Sequence, residues 1–339
     1  KGNYKEVGFK WSSPGIMALS YYPSVGQSNS ITDPASITAR EMYARVRKAY
    51  SGTLQVDAPD LMMYILAMDG IYSYIAYCKR IYRILDLYSG TNTYLPDALL
   101  QAMGIPSEVA LTLHRHKTEF WGIINTMIAD AAKFTVPAVF DILNRHYWMN
   151  DNVYLDRPNV KGQMYVFVPM GFWQFKLDAE QRGSVQYYPL NIQASWTQVS
   201  FYTYFKYLMN ALNTDEDAYT INGYFARAFE NVPVFSIVPL GQSETFEAVY
   251  SEEVLSQIHN LKSIPGFVPA DVTQDGTTDT IYSEQDYPIT QTDILNADGF
   301  QNLLDSDVSN PTSEEIVIAT RLMPSVEQIV SGNRIRTVA

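Results

Sequence analysis

The sequence predicts a predominantly α-helical α+β protein: a helical first half, a few short strands after it, and a loop-rich protruding region further on. Three observations lead there. Between residues 57 and 88, Leu61, Ile65, Met68, Tyr72, Ile75, Cys78 and Tyr82 recur at three- and four-residue steps, the period of a helix. After Asn150 the texture changes to short apolar runs at 164–168 and 173–177, which suit strands. From 264 to 310 the chain is polar, acidic and rich in turn residues, as an exposed excursion would be.

Taken in order, residues 1–36 carry Pro14, Pro23 and Pro34 and read as an extended, loop-rich arm with a turn at Pro14-Gly15. Ser36 is placed to cap a helix over 37–50 that Ser51-Gly52 ends. The next helix, 59–88, has Asp57 as its cap and Pro59 at the opening. Its second face, with Met62, Leu66, Ile71, Tyr74, Ile81 and Leu85, is apolar too, so it is expected to be a buried central post. Gly70 leaves room for a bend or a close contact.

Helices follow at 96–103, 107–133 with Ser107 as cap, and 137–147, separated by short breaks that favour antiparallel packing. The runs 164–168 and 173–177 are expected to pair as a hairpin around Met170-Gly171. Helices at 197–212 and 216–229, a buried strand at 234–238, a helix at 250–261 and a β-type run at 316–322 complete the reading.

A chain of 339 residues with 47% hydrophobic content can bury a large core, divided here into two lobes. Charged residues are sparse at 18%, while 25 Tyr, 15 Phe and 5 Trp make it rich in aromatics. Tyr and Trp have an apolar body and a polar tip, so their excess reads as protein–protein contact surface, with a Tyr-rich core as the alternative. Cys78 is the single cysteine, which rules out an intrachain disulfide, fits a reducing compartment and suits a small buried apolar residue. There is neither an uninterrupted apolar run of bilayer length nor a signal-peptide pattern, so no membrane insertion is expected. The start at Lys1 rather than Met reads as a trimmed or processed product.

Net charge is −12 and unevenly spread, with fourteen acidic residues against Lys262 alone between Glu247 and Glu315. That block would repel nucleic acid. Cations gather instead in the first quarter, at Arg40, Arg45, Arg47 and Lys48 on one helix and at Lys79, Arg80 and Arg83 near the end of another. These seven are the candidates for weak, sequence-independent phosphate contact; the alternative is that they only complement helix dipoles.

Enzyme machinery is hard to find. The histidines are His114, His116, His146 and His259, and the first two lie two residues apart, pointing in different directions on a helix, so no metal site is expected. Nucleophile-elbow, phosphate-loop and dinucleotide-turn motifs are absent, and no cofactor is implied. Asp57, Asp60 and Asp69 are the best candidates for paired-carboxylate chemistry, but capping explains the first two and an ion pair with a neighbouring Arg the third.

The residues also carry a family resemblance. The succession Pro14-Gly15-Ile16-Met17, Tyr22-Pro23-Ser24-Val25-Gly26 and Ile37-Thr38-Ala39-Arg40, then Asp57-Ala58-Pro59-Asp60-Leu61-Met62-Met63-Tyr64 and Arg80-Ile81-Tyr82, resembles picobirnavirus capsid proteins. Tyr94-Leu95-Pro96, Trp148-Met149, Asn152-Val153-Tyr154 and Ala319-Thr320-Arg321-Leu322 follow in a similar order. The resemblance implies a structural, non-enzymatic subunit that pairs with identical copies into dimers, which close into a small icosahedral shell around double-stranded RNA. It also implies a place in the virion after assembly in the host cytoplasm. On this reading 1–36 is an N-terminal arm, 37–150 the helical core of a shell domain and 151–263 its mixed part. Residues 264–312 are then an acidic protrusion, and 313–339 a C-terminal strand and tail. A coat protein of another small RNA or single-stranded DNA virus, and a cellular helical scaffold or binding module, are the competing readings.

Overall fold

A computed structural model of the chain describes residues 15–159, 162–260, 271–283, 309–325 and 334–338. Its organising element is the helix Ala58–Leu85 (α2), of which nearly every residue is buried. The expectation of a central post is met. Asp57 caps its N-terminus, Pro59 sits in the first turn, and the Asp60 carboxylate accepts a 2.9 Å hydrogen bond from the Asp57 amide. By length and hydropathy α2 could cross a membrane, yet its most apolar stretch is wholly covered by protein.

Around α2 pack the helices Pro34–Ala49 (α1), Lys117–Ala131 (α5), Asp141–Asp151 (α6), Gln198–Thr214 (α7) and Glu216–Ala228 (α8). The shorter helices Tyr94–Ala102 (α3) and Ser107–Arg115 (α4) close one end. The single helix expected over 107–133 breaks at His116, which leaves helical geometry so that α4 can rest on α3 while α5 turns along α2. The helix expected at 137–147 begins later, because Val136 and Ala138 are hydrogen-bonded to Phe235 and Pro233 and so held extended.

Beside the helices lies a six-stranded mixed sheet with buried side chains on both sides, Ala18, Val166 and Val168 in the main core and Leu19, Tyr21 and Phe167 against Val254, Ile258 and Leu322. In the order of the sheet the strands are Val249–Tyr250, Tyr154–Leu155, Met164–Pro169, Ile16–Tyr22, Arg334–Val338 and Met323–Ser325. The segment 16–22, expected in an extended arm, is instead an interior strand (β1), parallel to both Met164–Pro169 (β3) and Arg334–Val338 (β10). Residues 1–14 of that arm lie outside the described residues.

The hairpin expected between 164–168 and 173–177 does not form. β3 joins the large sheet, while Gly171–Leu177 (β4) pairs antiparallel with Gly183–Pro189 (β5) and lies across α2. At the crossing, Gly70 brings α2 so close to β4 that a Cβ there would stand 2.4 Å from the Trp173 carbonyl oxygen. Gly70 therefore serves a helix–strand approach rather than a bend.

Three further expectations are corrected. Residues 234–238 form no strand; they make a single bridge at Val234, and Val234 and Val238 are exposed. Residues 313–319 are a helix (α10), not a strand, because Thr312 and Glu315 form a reciprocal capping box. Within the acidic stretch 264–312, residues 271–283 do not protrude. They form the hairpin of Thr273–Asp275 (β7) and Thr280–Tyr282 (β8), with Val272 and Ile281 buried in the core. Residues 264–270 and 284–308 lie outside the described residues. The 37–150 and 151–263 segments share one apolar core.

Many of the tyrosines serve that core. Tyr64, Tyr72, Tyr74, Tyr77 and Tyr82 all lie on α2, and each donates its hydroxyl to a main-chain carbonyl of the surrounding shell. The aromatic excess is thus in large part a Tyr-rich core, the alternative to contact surface. Gly70→Ala is expected to lower unfolding free energy by about 1–3 kcal/mol, since the added methyl must displace main chain. Urea unfolding of the purified variant checks this, and a neutral substitution would remove the close-approach argument.

Candidate functional site

The seven candidate cations divide sharply by position. Arg45, Arg47 and Lys48 are exposed on the last turns of α1, and Arg40 is half-buried one to two turns earlier. Arg40 donates to the Ser36 and Ile31 carbonyls. Arg45 stacks on Phe229, its guanidinium carbon 4.1 Å from the ring centroid, and donates to the Ala228 carbonyl at 3.4 Å, which ties α1 to the end of α8. Arg227, exposed on α8, lies over Tyr50 at 5.6 Å, so the exposed cations Arg45, Arg47, Lys48 and Arg227 come from two adjoining elements. Sequence reading passed over Arg227 because it stands alone in its own helix.

Lys79, Arg80 and Arg83 are not surface cations. Arg80 is fully buried; its guanidinium donates to the Met149, Asn152 and Phe167 carbonyls at 2.9, 3.0 and 2.7 Å. Burial pulls its pKa down to about 10, and the residue still carries its charge at neutral pH. Lys79 donates to the Val238 carbonyl and the Tyr147 hydroxyl, and burial lowers its pKa as well. Arg83 pairs with Asp151 at 2.6 Å. These three hold α2 to α6, β3 and the 232–244 loop, and cations engaged in this way beneath the surface are not presented to a phosphate. Their apolar neighbours hid this: three basic residues at a helix end read equally well as solvated.

Asp69, expected beside an Arg, pairs with His146 of α6, Oδ2 to Nδ1 2.6 Å, with both side chains almost wholly buried. Asn150, one turn on, donates to the Tyr21 hydroxyl and the His146 carbonyl. The network joins α2, α6 and β1 beneath Trp173. Nine residues separate Asp69 from Asp60, roughly 14 Å along a helix, so the candidate carboxylates do not converge as an acid–base pair would.

Asp57 and Asp60 meet other acids instead. Burial, then Asp60 and Asp279, hold the Asp57 carboxyl above its ordinary range. Asp217 is raised by burial, Asp60 and Glu216, and Asp215 by burial first, against the lowering effect of its hydrogen bond from the Ala218 amide. Gln274 bridges this cluster to β5, donating to Asp60 and to the Gly183 carbonyl at 2.6 Å each. The acids arrive from α2, α8 and the β7–β8 turn, three elements far apart in the chain. Among the described residues there is no group of side chains fit to hold a metal.

Two outcomes follow from these geometries. Raised carboxyl pKa values mean that the folded state binds protons more tightly than the unfolded one. Their stabilising contribution is complete below the ordinary carboxylate value of about 4 and is lost as pH rises through the higher folded values. The double variant Asp57→Asn/Asp217→Asn, which keeps a capping side chain, is expected to unfold at a higher temperature than the parent at pH 7, with the difference vanishing toward pH 3; a scan across pH measures it. Arg80→Met is expected to cost about 3 kcal/mol or more, because it strands buried carbonyls, and Arg80→Lys recovers only part. Denaturant titration reads both.

Comparison with known proteins places the fold. The family profile described as picobirnavirus capsid protein matches residues 2–311. The capsid protein precursor of human picobirnavirus is 28% identical over 282 residues, which cover 78% of this chain and 50% of the precursor. A solved structure, the X-ray crystallographic structure of the picobirnavirus capsid, superposes with a TM-score of 0.76 at 24% identity, covering 96% of this chain and 65% of the other. The chain thus spans half to two thirds of the length of the relatives it matches. With a profile matching nearly its whole length, the chain belongs to the picobirnavirus capsid protein family.

Proposed function

We propose that the chain acts as a viral coat subunit that pairs with an identical copy and, through further contacts among such dimers, closes into an icosahedral shell around double-stranded RNA. The single observation that carries this reading is the family match across residues 2–311. Physical features of the surface support it. Tyr94, Val238, Val199, Val317, Tyr207 and Tyr219 are large apolar side chains more than half exposed, as far as 72% for Val238. They sit on α3, α7, α8, α10 and the 232–244 loop, so exposed apolar groups are spread over several elements, as a subunit with several neighbours needs. Each standard interface would remove on the order of 1,600 Å² from water.

The exposed cations of α1 and α8 are the proposed genome-facing group: Arg45, Arg47 and Lys48 with Arg227, and Arg40 behind them. Four or five cations support a weak phosphate contact that falls with salt, not condensation of a genome. The acidic α9 (Glu252–His259) and α10 N-termini present Glu252, Glu253, Glu314 and Glu315, which would repel RNA and belong on another face of the shell. Assembly in a reducing host cytoplasm agrees with the lone, buried Cys78, whose thiol pKa is raised by burial. No membrane insertion is part of this reading, since α2 is fully occupied in the core.

Purified chain is expected to form uniform closed particles in negative-stain micrographs, and a lone 38.4 kDa species at high concentration across salt and pH would refute the proposal. In particles that form, Arg45→Glu/Arg47→Glu/Lys48→Glu is expected to reduce co-purifying RNA severalfold, read as the ratio of absorbance at nucleic-acid and protein wavelengths. Unchanged RNA content with intact shells would remove these residues from the genome contact.

A further inference from the structure

The helix α6 has a second side, away from the His146 network, where a cleft of about 410 Å³ opens between α1, α2 and the Ser24–Gly26 turn. Its walls are apolar, made by Val25, Met62, Ile65, Leu66, Phe140 and Ile142. Its polar end holds two guanidinium groups, Arg145 of α6 and Arg321 just past α10, together with the Asp141 carboxylate, and all three also line a smaller adjoining cleft of about 160 Å³.

The two arginines are unequally matched. Arg321 has carboxylate partners in Asp141 at 3.2 Å and Glu253 at 3.9 Å. Arg145 has none within ion-pair distance among the described residues, and its buried Nε lacks a hydrogen-bond acceptor. Burial and then the like charge of Arg321 lower the Arg145 pKa, with Asp141, Asp69 and Glu253 opposing them only at longer range. A half-buried guanidinium beside another, with both neighbouring carboxylates engaged by Arg321 and none in contact with Arg145, is a costly arrangement that an anion placed against Arg145 would relieve. The apolar volume next to it has the size and lining of a small-molecule site.

We propose that this cleft binds a small monocarboxylate with an apolar body, the carboxylate lying against Arg145 and Arg321 and the body against Met62, Ile65, Leu66 and Phe140. One charge matches the one unpaired guanidinium; a planar carboxylate suits its fork; and the apolar walls favour a hydrocarbon tail over a hydrated ion. Because the cleft is walled by α1, α2 and α6 and its charged end includes the residue after α10, an occupant ties the C-terminal segment to the helical core. Such binding does not require a closed shell.

The probe is sodium octanoate, with octanol, acetate and inorganic phosphate as comparisons, and the readout is the thermal unfolding midpoint of the purified chain together with calorimetric affinity. Octanoate is expected to raise the midpoint, while octanol, acetate and phosphate do so far less. Arg145→Gln is expected to weaken octanoate binding about tenfold or more, the loss of a charge-assisted contact, and Arg115→Gln, exposed on α4 away from the cleft, to leave it unchanged. Val25→Phe, which fills the cleft from the turn, tests the volume separately should Arg145→Gln fail to fold, and is expected to abolish the shift. No rise with octanoate, an equal rise with phosphate, or an undiminished response in either cleft variant would overturn the proposal.

Discussion

Everything in this fold depends on keeping water away from α2 without leaving its polar groups alone. A helix of 28 residues buried on nearly all sides has only protein to solvate it, and its sequence carries Tyr hydroxyls, a carboxylate, a lysine and arginines as well as hydrocarbon. The solution is directional: the polar tips reach past the apolar layer and meet main-chain carbonyls of neighbouring elements, at Phe201 in α7, just past α3 at Met103, in the last turn of α6 at Met149 and within β3 at Phe167. Tyrosine is well suited to this, since its ring fills the layer while its hydroxyl crosses it. Each such bond also ties a neighbouring element to α2, so one helix sets the spacing of the elements packed around it.

The same arrangement explains why the basic residues of α2 are held by main-chain carbonyls while Arg47 and Lys48 of α1 face solvent. α1 contacts the core along Ser36, Ala39, Met42 and Val46 and leaves its remaining faces to solvent. There Arg47 and Lys48 stand in water and keep their hydration. On α2 a cation is desolvated whatever it does, and carbonyl dipoles replace the water it gives up. Identical residue types thus acquire opposite roles from the burial of the helix that bears them.

How much of this was legible follows the same division. The long helices α2, α7 and α8 were readable because their apolar period persists over several turns, and the depth of α2 because both its faces are apolar. Family likeness was readable from short motifs spread along the chain. What escaped was decided by tertiary pairing: Pro137 and Val234 bridge each other across nearly a hundred residues, and β3 finds β1 rather than its sequence neighbour β4. The run Ile316-Val317-Ile318 favours a strand by residue type, and the capping box of Thr312 and Glu315 overrides that preference. In the candidate surface, Arg45, Arg47 and Lys48 were found as exposed cations. Arg227 and the convergence of Asp57, Asp215 and Asp279 were not, since only the fold brings them together.

The position of β1 has a consequence for how the molecule is made. Both its edges are covered by parallel partners, and one of them, β10, is synthesised roughly three hundred residues later. During translation that edge stands open, with unpaired amides and carbonyls and a row of apolar side chains beside it, while the helical core can already collapse around α2. The nascent chain therefore passes through a stage in which it is largely built and still has one adhesive border. Closure by its own distal strand, before a neighbour's strand can take that place, is a kinetic contest built into the topology.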